Sequence, residues 1–351
     1  MTKKNFFNIC FLLLVVFLTL YSVFSGEDLG QIFEYLREGD VRLWILGVIT
    51  VIIFIECESV IIYYLLKTLG EKVKLTHCFL FSFAGFFFSL ITPSATGGQP
   101  AQLYFMKKDK LSLTVSTLVL MVVTITYKFV LVVIGLFIFI VRPPKVMRYL
   151  APAAGWCYLG IVLNVICVSA MLLLVFHPML AENICVLCLN TACKMIGVFR
   201  KKSSFVKKKD TYLEKIHVSM EKYRKVAEYF AAHKAVILNV FLITFIQRVL
   251  LFAVTYIVFI SFELKNFDAF TVISLQGMIS VAVDMLPLPG GLGISEKLFM
   301  DIFTDICGSK YTLPVMIVSR GLTYYTQLLI SAVMTGYAYW SMVYKKERIN
   351  K

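Results

Sequence analysis

The stretch DMLPLPGGLGISEKLFMD, residues 284–301, decides the fold predicted for this chain. Two prolines and three glycines interrupt an otherwise apolar run within it. Proline removes a backbone donor and glycine loosens the backbone, so a helix stops here and restarts further on. A second break, TPSATGGQP, lies at residues 92–100. At membrane depth such breaks are tolerated only inside protein or along a water-filled cavity, so the two breaks predict a polar interior.

The composition places both breaks in a membrane protein. Of the 351 residues, 59% are hydrophobic and 16% are charged, whereas about a quarter of a soluble domain is charged. The predicted fold class is therefore an all-α polytopic membrane protein, with residues 1–351 forming a single integral membrane domain. The net charge is +14, and residues 181–234 hold twelve Lys and Arg against five Asp and Glu. Cytoplasmic loops of membrane proteins carry such charge routinely, so no direct nucleic-acid partner is predicted.

The cysteines indicate neither disulfides nor a metal site. Most of the nine lie within apolar runs. Cys185, Cys188 and Cys193 have a zinc-like spacing, but no histidine completes the pattern. Reduced thiols facing the cytoplasm are the simpler interpretation. No metal and no cofactor are predicted.

Apolar segments of nearly spanning length or longer predict six full crossings. They cover residues 6–24, 43–66, 111–141, 153–176, 235–262 and 311–344. The two broken segments, residues 78–106 and 270–303, are predicted as re-entrant hairpins. Lysines flank the first hairpin and acids the second, so the first enters from the cytoplasm and the second from outside. Both chain termini are then cytoplasmic, while the basic loop 142–152 falls outside, against the positive-inside rule.

Each half of the chain consists of a span, a hairpin and a span. Residues 43–141 and 235–344 are therefore candidate inverted repeats, because their hairpins enter from opposite sides. Residues 177–234 are predicted as a basic cytoplasmic loop between the repeats. Within this loop apolar residues recur at helical spacing: Leu213, Ile216, Met220, Tyr223, Ala227 and Phe230. That pattern fits either an amphipathic helix on the anionic inner leaflet or a helix packed on the bundle, and both alternatives stay open.

Charged residues near the bilayer centre are costly, so they usually have a partner or a function. Six are predicted at that depth: Glu56, Glu58, Lys128, Arg248, Glu296 and Arg320. In one interpretation they pair with each other in a dry bundle. In the other they line a polar cavity with the hairpin tips, where helix starts near Pro100 and Gly293 direct partial positive charge at the midplane. Arginine would then hold a phosphate through two donors, and lysine would hold it as a point charge.

The cavity interpretation gives a predicted substrate-binding set at the tips and on the spans beside them. The set comprises Thr96, Gly97, Gly98, Gln99, Gln102, Lys128, Arg248, Pro289, Gly290, Gly291, Gly293, Glu296 and Arg320. Two roles stay open for Glu296, which would either cap the free N–H groups of the restarting helix or carry a proton. The sequence contains no recognisable catalytic arrangement, zinc-ligand set or nucleotide-binding loop.

Three stretches carry a family resemblance: ITPSATGGQPAQLYFMKK (91–108), QGMISVAVDMLPLPGGLGISEKLF (276–299) and SRGLTYYTQLLISAVMTGYAY (319–339). They resemble the transmembrane family of lysylphosphatidylglycerol synthases, a flippase-like region also found in the multiple peptide resistance factor. The resemblance implies movement of an aminoacylated phospholipid between leaflets. It also implies that a C-terminal cytosolic domain makes that lipid from aminoacyl-tRNA. This sequence ends seven residues after its last predicted span, so we expect the lipid-aminoacylating synthase to be a separate partner.

We therefore expect a bacterial cytoplasmic-membrane protein that moves a phosphate-bearing lipid. Aminoacyl-phosphatidylglycerol is the first choice of substrate, and a polyprenyl-phosphate lipid such as an undecaprenyl-linked one is the second. Phosphatidylglycerol lysyltransferase activity and a non-transporting scaffold are the alternatives. Formation of new lysyl-lipid by membranes would support the enzyme. Joint neutralisation of the mid-membrane charges without a phenotype would support the scaffold.

Overall fold

The computed structural model describes residues 34, 37–199, 209–264, 267–291 and 293–344, and every regular element in that part is helical. The all-α polytopic fold class is therefore confirmed. The predicted first span, residues 6–24, and the seven C-terminal residues lie outside the described residues. Four described helices are long and apolar enough to cross a membrane: Val41–Thr68, Leu113–Val141, Pro144–Phe176 and Lys234–Ser261. The total of six spans stays a prediction.

The first half folds as a span, a helical hairpin and a second span. Its helices are α1 (Val41–Thr68), α2 (Leu75–Ile91), α3 (Gly98–Lys108) and α4 (Leu113–Val141). A short 3-10 turn, Pro93–Ala95, lies at the break between α2 and α3. Proline suits the first position of such a turn, because the N–H that proline lacks would have no acceptor within the helix there. The predicted break therefore separates two arms of a hairpin.

Four helices link the two halves. They are α5 (Pro144–Leu150), α6 (Ala154–Phe176), α7 (Pro178–Phe199) and α8 (Lys209–Ala232). The region 177–234, predicted as a basic loop, thus contains two helices. Tyr223, Ala227 and Phe230, predicted on the apolar face of α8, are buried against the bundle. Tyr223 also donates a hydrogen bond to the carbonyl of Leu174 at 3.0 Å. These contacts favour the helix packed on the bundle over the helix lying on lipid.

The second half has the same order of a long helix, a hairpin and a further helical segment. Its helices are α9 (Lys234–Ser261), α10 (Ala269–Val283), α11 (Ile294–Arg320) and α12 (Gln327–Tyr339). A 3-10 turn, Pro289–Gly291, occupies the second predicted break. Helix α11 is interrupted at Gly308, where φ is 72°, so its first part is the returning arm of the hairpin and its second part begins the last predicted span, which is called the last span below. π-helical turns at Gly321–Thr326 and Trp340–Tyr344 continue that span.

Contacts between the two halves are reciprocal. Helix α1 packs along α9, the first helix of the other half. Helix α2 packs against α12, and α10 packs against α4. The first arm of each hairpin therefore lies on the last span of the opposite half. The turns Pro93–Ala95 and Pro289–Gly291 also contact each other, which brings the two hairpin tips together.

A close helix contact fixes the position of the second hairpin. Gly160 of α6 faces the backbone of α10, where a Cβ on Gly160 would come within 2.8 Å of the Cα of Ala282. Interiors are close-packed, so a side chain at this point would force α10 to move. Glycine at position 160 therefore allows the second hairpin, which carries residues 284–301, to pack closely against α6.

Candidate functional site

The two broken segments meet tip to tip. Ser94 in the first tip donates its hydroxyl hydrogen bond to the carbonyl of Leu286 in the second, at 3.3 Å. Tyr324 on the last span donates to the carbonyl of Leu90 at 3.0 Å, an acceptor that the end of α2 leaves without a helical partner. A side chain of each half thus bonds a backbone carbonyl at the break of the other half, as breaks at membrane depth require.

Local hydrogen bonds shape the first tip around Thr96 and Gly97. The N–H of Gly97 donates to Thr92 Oγ1 at 2.8 Å. Thr96 is exposed and donates its hydroxyl to the carbonyl of Pro93 at 2.9 Å. Both contacts close the turn on itself. The predicted residues Thr96 and Gly97 therefore have a visible role in building the tip.

The next two predicted residues hold the returning arm in place. Gly98 lets α3 approach α2 closely, because a Cβ there would lie 2.7 Å from the carbonyl oxygen of Gly85. Gln99 donates its amide to the hydroxyl of Thr124 on α4. The first hairpin is thus packed against its own half on one side and meets the second tip on the other.

The second tip, Pro289–Gly291, depends on left-handed backbone. Gly290 has a φ of 57°, a conformation that residues with a Cβ adopt only at a cost. A Cβ on Gly290 would also overlap the ring of Tyr324. The predicted residues Gly291 and Gly293 have φ of 69° and 84°. The chain can make this turn because glycine, which adopts positive φ without strain, occupies these positions.

We expect Gly290→Val to destabilise the protein. The left-handed backbone costs a residue with a Cβ about 1–2 kcal/mol, and overpacking against Tyr324 adds about 1–3 kcal/mol. The measurement is thermal melting in detergent. Gly336→Val serves as the control, because Gly336 lies in α12 with open space where a Cβ would go. Equal melting temperatures for the two variants would contradict a tight turn at Gly290.

Arg248 on α9 is a buried cation that forms no salt bridge within the described part of the chain. Its side chain is 9% exposed. The guanidinium carbon lies 3.6 Å from the ring centroid of Tyr127 and 5.0 Å from that of Phe54, so cation–π stacking holds it. Its Nε has no hydrogen-bond partner. A buried donor left unpaired costs about 1–3 kcal/mol, and more when it is charged. Arg248 can therefore still donate a hydrogen bond to an anion.

Glu58 on α1 is an acid in the neighbourhood of Arg248. It interacts electrostatically with the guanidinium, and its Oε1 accepts a hydrogen bond from Gln102 Nε2 at 2.7 Å. Gln102 passes over α2 at Gly85, where any Cβ would overlap the glutamine amide. The predicted residue Gln102 thus links the first hairpin to the surroundings of Arg248.

Lys128 on α4 pairs with an acid that the sequence analysis did not count among the mid-membrane charges. Its Nζ lies 2.7 Å from Asp284 Oδ2, just beyond the end of α10. Tyr127 donates its hydroxyl to the other oxygen of the same carboxylate. Glu58, Gln102, Tyr127, Lys128, Arg248 and Asp284 are called the central cluster below. It joins the first hairpin, two spans of the first half, one span of the second half and the second hairpin.

Arg320 on the last span pairs with Glu296 on the returning arm of the second hairpin. Its Nε and Nη2 both lie 2.8 Å from Glu296 Oε1, and Nη2 donates to the carbonyl of Gly290 at 3.1 Å. The second oxygen of Glu296 accepts the N–H of Gly293 at 2.6 Å. Glu296 therefore caps the restarting helix, which is one of the two roles left open for it. The carboxylate occupies the helix start that was expected to face an anion.

The structure thus divides the predicted set into three groups. Gln102, Lys128 and Arg248 belong to the central cluster. Gly290, Gly293, Glu296 and Arg320 form the second group, called the Arg320 latch below. The remaining residues build the tips: Thr96, Gly97, Gly98, Gln99, Pro289 and Gly291. Asp284 and Tyr127 were missed, although Asp284 is the first residue of the stretch that decided the fold.

Several buried polar atoms in the described part of the chain have no hydrogen-bond partner. Within the described ranges, Glu56 Oε2, Gln276 Oε1 and Tyr325 Oη are buried and have no hydrogen-bond partner. No three His, Cys, Asp or Glu side chains of the described residues are grouped as a metal site would need.

A family comparison covers nearly the whole of this architecture. The family model described as lysylphosphatidylglycerol synthase TM region matches residues 7–331. That range includes both hairpins, the central cluster and the Arg320 latch. A comparison with curated proteins found no match.

Proposed function

Since the chain belongs to the family of lysylphosphatidylglycerol synthase transmembrane regions, we propose that it translocates a phosphate-bearing lipid across the bacterial cytoplasmic membrane. The family and the apolar helices make it a multi-pass membrane protein with a lipid-related role. Aminoacyl-phosphatidylglycerol is the first substrate to test, and a polyprenyl-phosphate lipid is the second. The substrate would come from a separate lipid-aminoacylating synthase.

The observation that carries this proposal is the unpaired guanidinium of Arg248. It is buried, stacked on Tyr127 and without a salt bridge among the described residues. A phosphodiester would supply the acceptors that Arg248 lacks, and arginine binds phosphate through two parallel donors. Lys128 lies against the same tyrosine, but its charge is already paired with Asp284. The headgroup would pass this point while the acyl chains stay in the hydrocarbon.

An inverted repeat would give such a site access from both sides of the membrane. The reciprocal contacts support it, because the first arm of each hairpin packs on the last span of the opposite half. A tyrosine of each last span also reaches the end of the first arm in the other half: Tyr127 reaches Asp284, and Tyr324 reaches Leu90. Residues 43–141 and 235–344 are the proposed repeats.

Reconstitution tests the function directly. The full chain is placed in vesicles that contain a labelled phosphatidylglycerol analogue, and exposure of the label in the outer leaflet is followed with time. Faster exposure than in protein-free vesicles is the expected result. The same vesicles, supplied with lysyl-tRNA, report the alternative: formation of new lysyl-lipid without faster exposure would favour a lysyltransferase.

The proposed topology predicts which sites a membrane-impermeant thiol reagent reaches from outside. Cysteine placed at Lys310 is expected to be labelled in intact cells, whereas cysteine at Lys74 or Lys108 is not. The reason is that the first hairpin enters from the cytoplasm and the second from outside. Lys265, a further expected outer site, lies outside the described residues. Labelling of the Lys108 position in intact cells would contradict the inverted repeat, and permeabilised cells provide the control for reactivity.

A further inference from the structure

The central cluster is electrically balanced when its acids are ionised. Arg248 and Lys128 contribute two positive charges, and Glu58 and Asp284 contribute two negative ones. Lys128 and Asp284 form a direct salt bridge at 2.7 Å. Arg248 contacts the ring of Phe54, one turn before Glu58 on α1, so the charges of Arg248 and Glu58 interact although the two form no salt bridge. Arg248 and Glu58 are therefore held together less tightly than Lys128 and Asp284.

Binding of a lipid phosphate disturbs this balance. A phosphodiester carries one negative charge, so its arrival beside Arg248 would leave the cluster with one excess negative charge. An uncompensated charge in a low-dielectric interior is strongly disfavoured, and carboxyl groups there neutralise by taking up a proton. Neutrality is restored if one of the two acids becomes protonated when the phosphate binds.

Glu58 is the acid placed to do this. Both oxygens of Asp284 already have partners, Lys128 on one and the hydroxyl of Tyr127 on the other. Glu58 has one neutral donor, the amide of Gln102 on its Oε1, at 2.7 Å. No hydrogen bond reaches its Oε2 from the residues that the structure describes, so that oxygen has room for a proton. An arriving phosphate would also compete for Arg248, the cation that favours ionised Glu58.

We propose that Glu58 is a proton-binding site, and that the protein takes up one proton at Glu58 for each anionic lipid headgroup bound at Arg248. The proposal rests on the translocation function proposed above and adds its coupling ion. The proton enters from the side on which the headgroup binds and leaves when the headgroup is released on the other side. The titratable groups that interact with Glu58 are Arg248 and Tyr127; Asp284 and Lys128 follow through the Tyr127–Asp284 hydrogen bond and the Lys128–Asp284 salt bridge.

The test uses vesicles that contain the full chain and a labelled phosphatidylglycerol analogue, which has no amine. For a step that takes up one proton, the rate changes by up to about tenfold per pH unit. We expect the wild-type protein to translocate the analogue faster as the pH falls. We also expect a gradient of one pH unit to enrich the analogue in the leaflet on the alkaline side by up to about tenfold.

Glu58→Gln removes the titration and keeps an amide that Gln102 can still bond, so folding is expected to persist in thermal melts. This variant should translocate at a rate independent of pH and show no enrichment under a gradient. Glu58→Asp restores an acid and should restore both responses. Glu56→Gln is the matched control, since Glu56 lies two residues away on α1 and faces a different side of the helix; it should keep the pH response.

The outcomes separate the coupling from the function. Translocation by the wild type that ignores both pH and the gradient would overturn the proton site and leave the proposed function standing. A pH response lost in Glu56→Gln and kept in Glu58→Gln would overturn the assignment to Glu58. Failure of the wild type to translocate at every pH would overturn the proposed function itself, and the coupling with it.

Discussion

Replacing Arg248 with glutamine is expected to reduce lipid translocation by about ten- to a hundredfold while the protein stays folded. Hydrogen bonds to charged groups contribute about 1.5–3 kcal/mol each, and each 1.4 kcal/mol is about tenfold. Arg248 forms no salt bridge within the described residues, and Glu58, the acid that interacts with it, can become neutral by taking up a proton, so the variant keeps no stranded charge. Loss of its stacking on Tyr127 removes about 0.5–2 kcal/mol. The measurements are translocation in vesicles and thermal melting in detergent.

Two further variants sharpen this prediction. Arg248→Lys keeps the charge but loses the planar pair of donors, so we expect an intermediate rate. Arg148→Gln is the matched control, because Arg148 also stacks on a tyrosine, 5.8 Å from the ring centroid of Tyr149, but is exposed. Its rate should equal that of the wild type. Normal translocation by a folded Arg248→Gln variant would remove the main support for the proposed function.

Replacing Arg320 with glutamine is expected to destabilise the protein and to lower translocation along with it. Breaking a buried ion pair from one side costs about 3–5 kcal/mol. The Arg320 and Glu296 side chains are 19% and 23% exposed, so we expect the lower end of that range. The double change Arg320→Gln with Glu296→Gln should recover most of the stability, because no charge is then stranded. Thermal melting and translocation are measured on the same preparations.

This double variant decides between two roles for Arg320. The sequence predicts Arg320 as a second phosphate contact, whereas the latch geometry favours neutralisation of Glu296. Recovery of both stability and translocation in the double variant would establish the latch role. Recovery of stability alone would show that Arg320 itself contacts the lipid. Lys145→Gln is the control, since the exposed Lys145–Asp268 pair at 3.2 Å should contribute about 0–1 kcal/mol.

The hairpins could be predicted from the sequence because their signals are local. Proline and glycine act on their own backbone, and the flanking apolar runs set the lengths of the arms. The π-helical turn at Gly321–Thr326 and the interruption at Gly308 have weaker signals, since helical periodicity continues through them. In the region 177–234, α8 was predicted from its helical spacing, whereas α7 was missed although its only charged residues are Glu182 and Lys194.

The pairing of charges could not be predicted, since it depends on which helices become neighbours. Asp284 stands at the edge of the proline- and glycine-rich stretch, so the sequence assigns it to the break. Only the packing of α10 on α4 brings it to Lys128. Glu296 is the opposite case, because its position three residues after Gly293 already allowed a helix cap. Arg248 was predicted as a binding residue only from its expected depth in the membrane. The packing of the helices then shows that it has no salt bridge among the described residues.

The most direct test of the account is an experimental density map of the protein in nanodiscs that contain phosphatidylglycerol. The account predicts phosphate density within hydrogen-bonding distance of the Arg248 guanidinium, between the two hairpins, with acyl chains leading out between the helices into the bilayer. The density should be absent from the Arg248→Gln variant. A central cluster without a lipid, with phosphates seen only at the two membrane surfaces, would contradict the central claim.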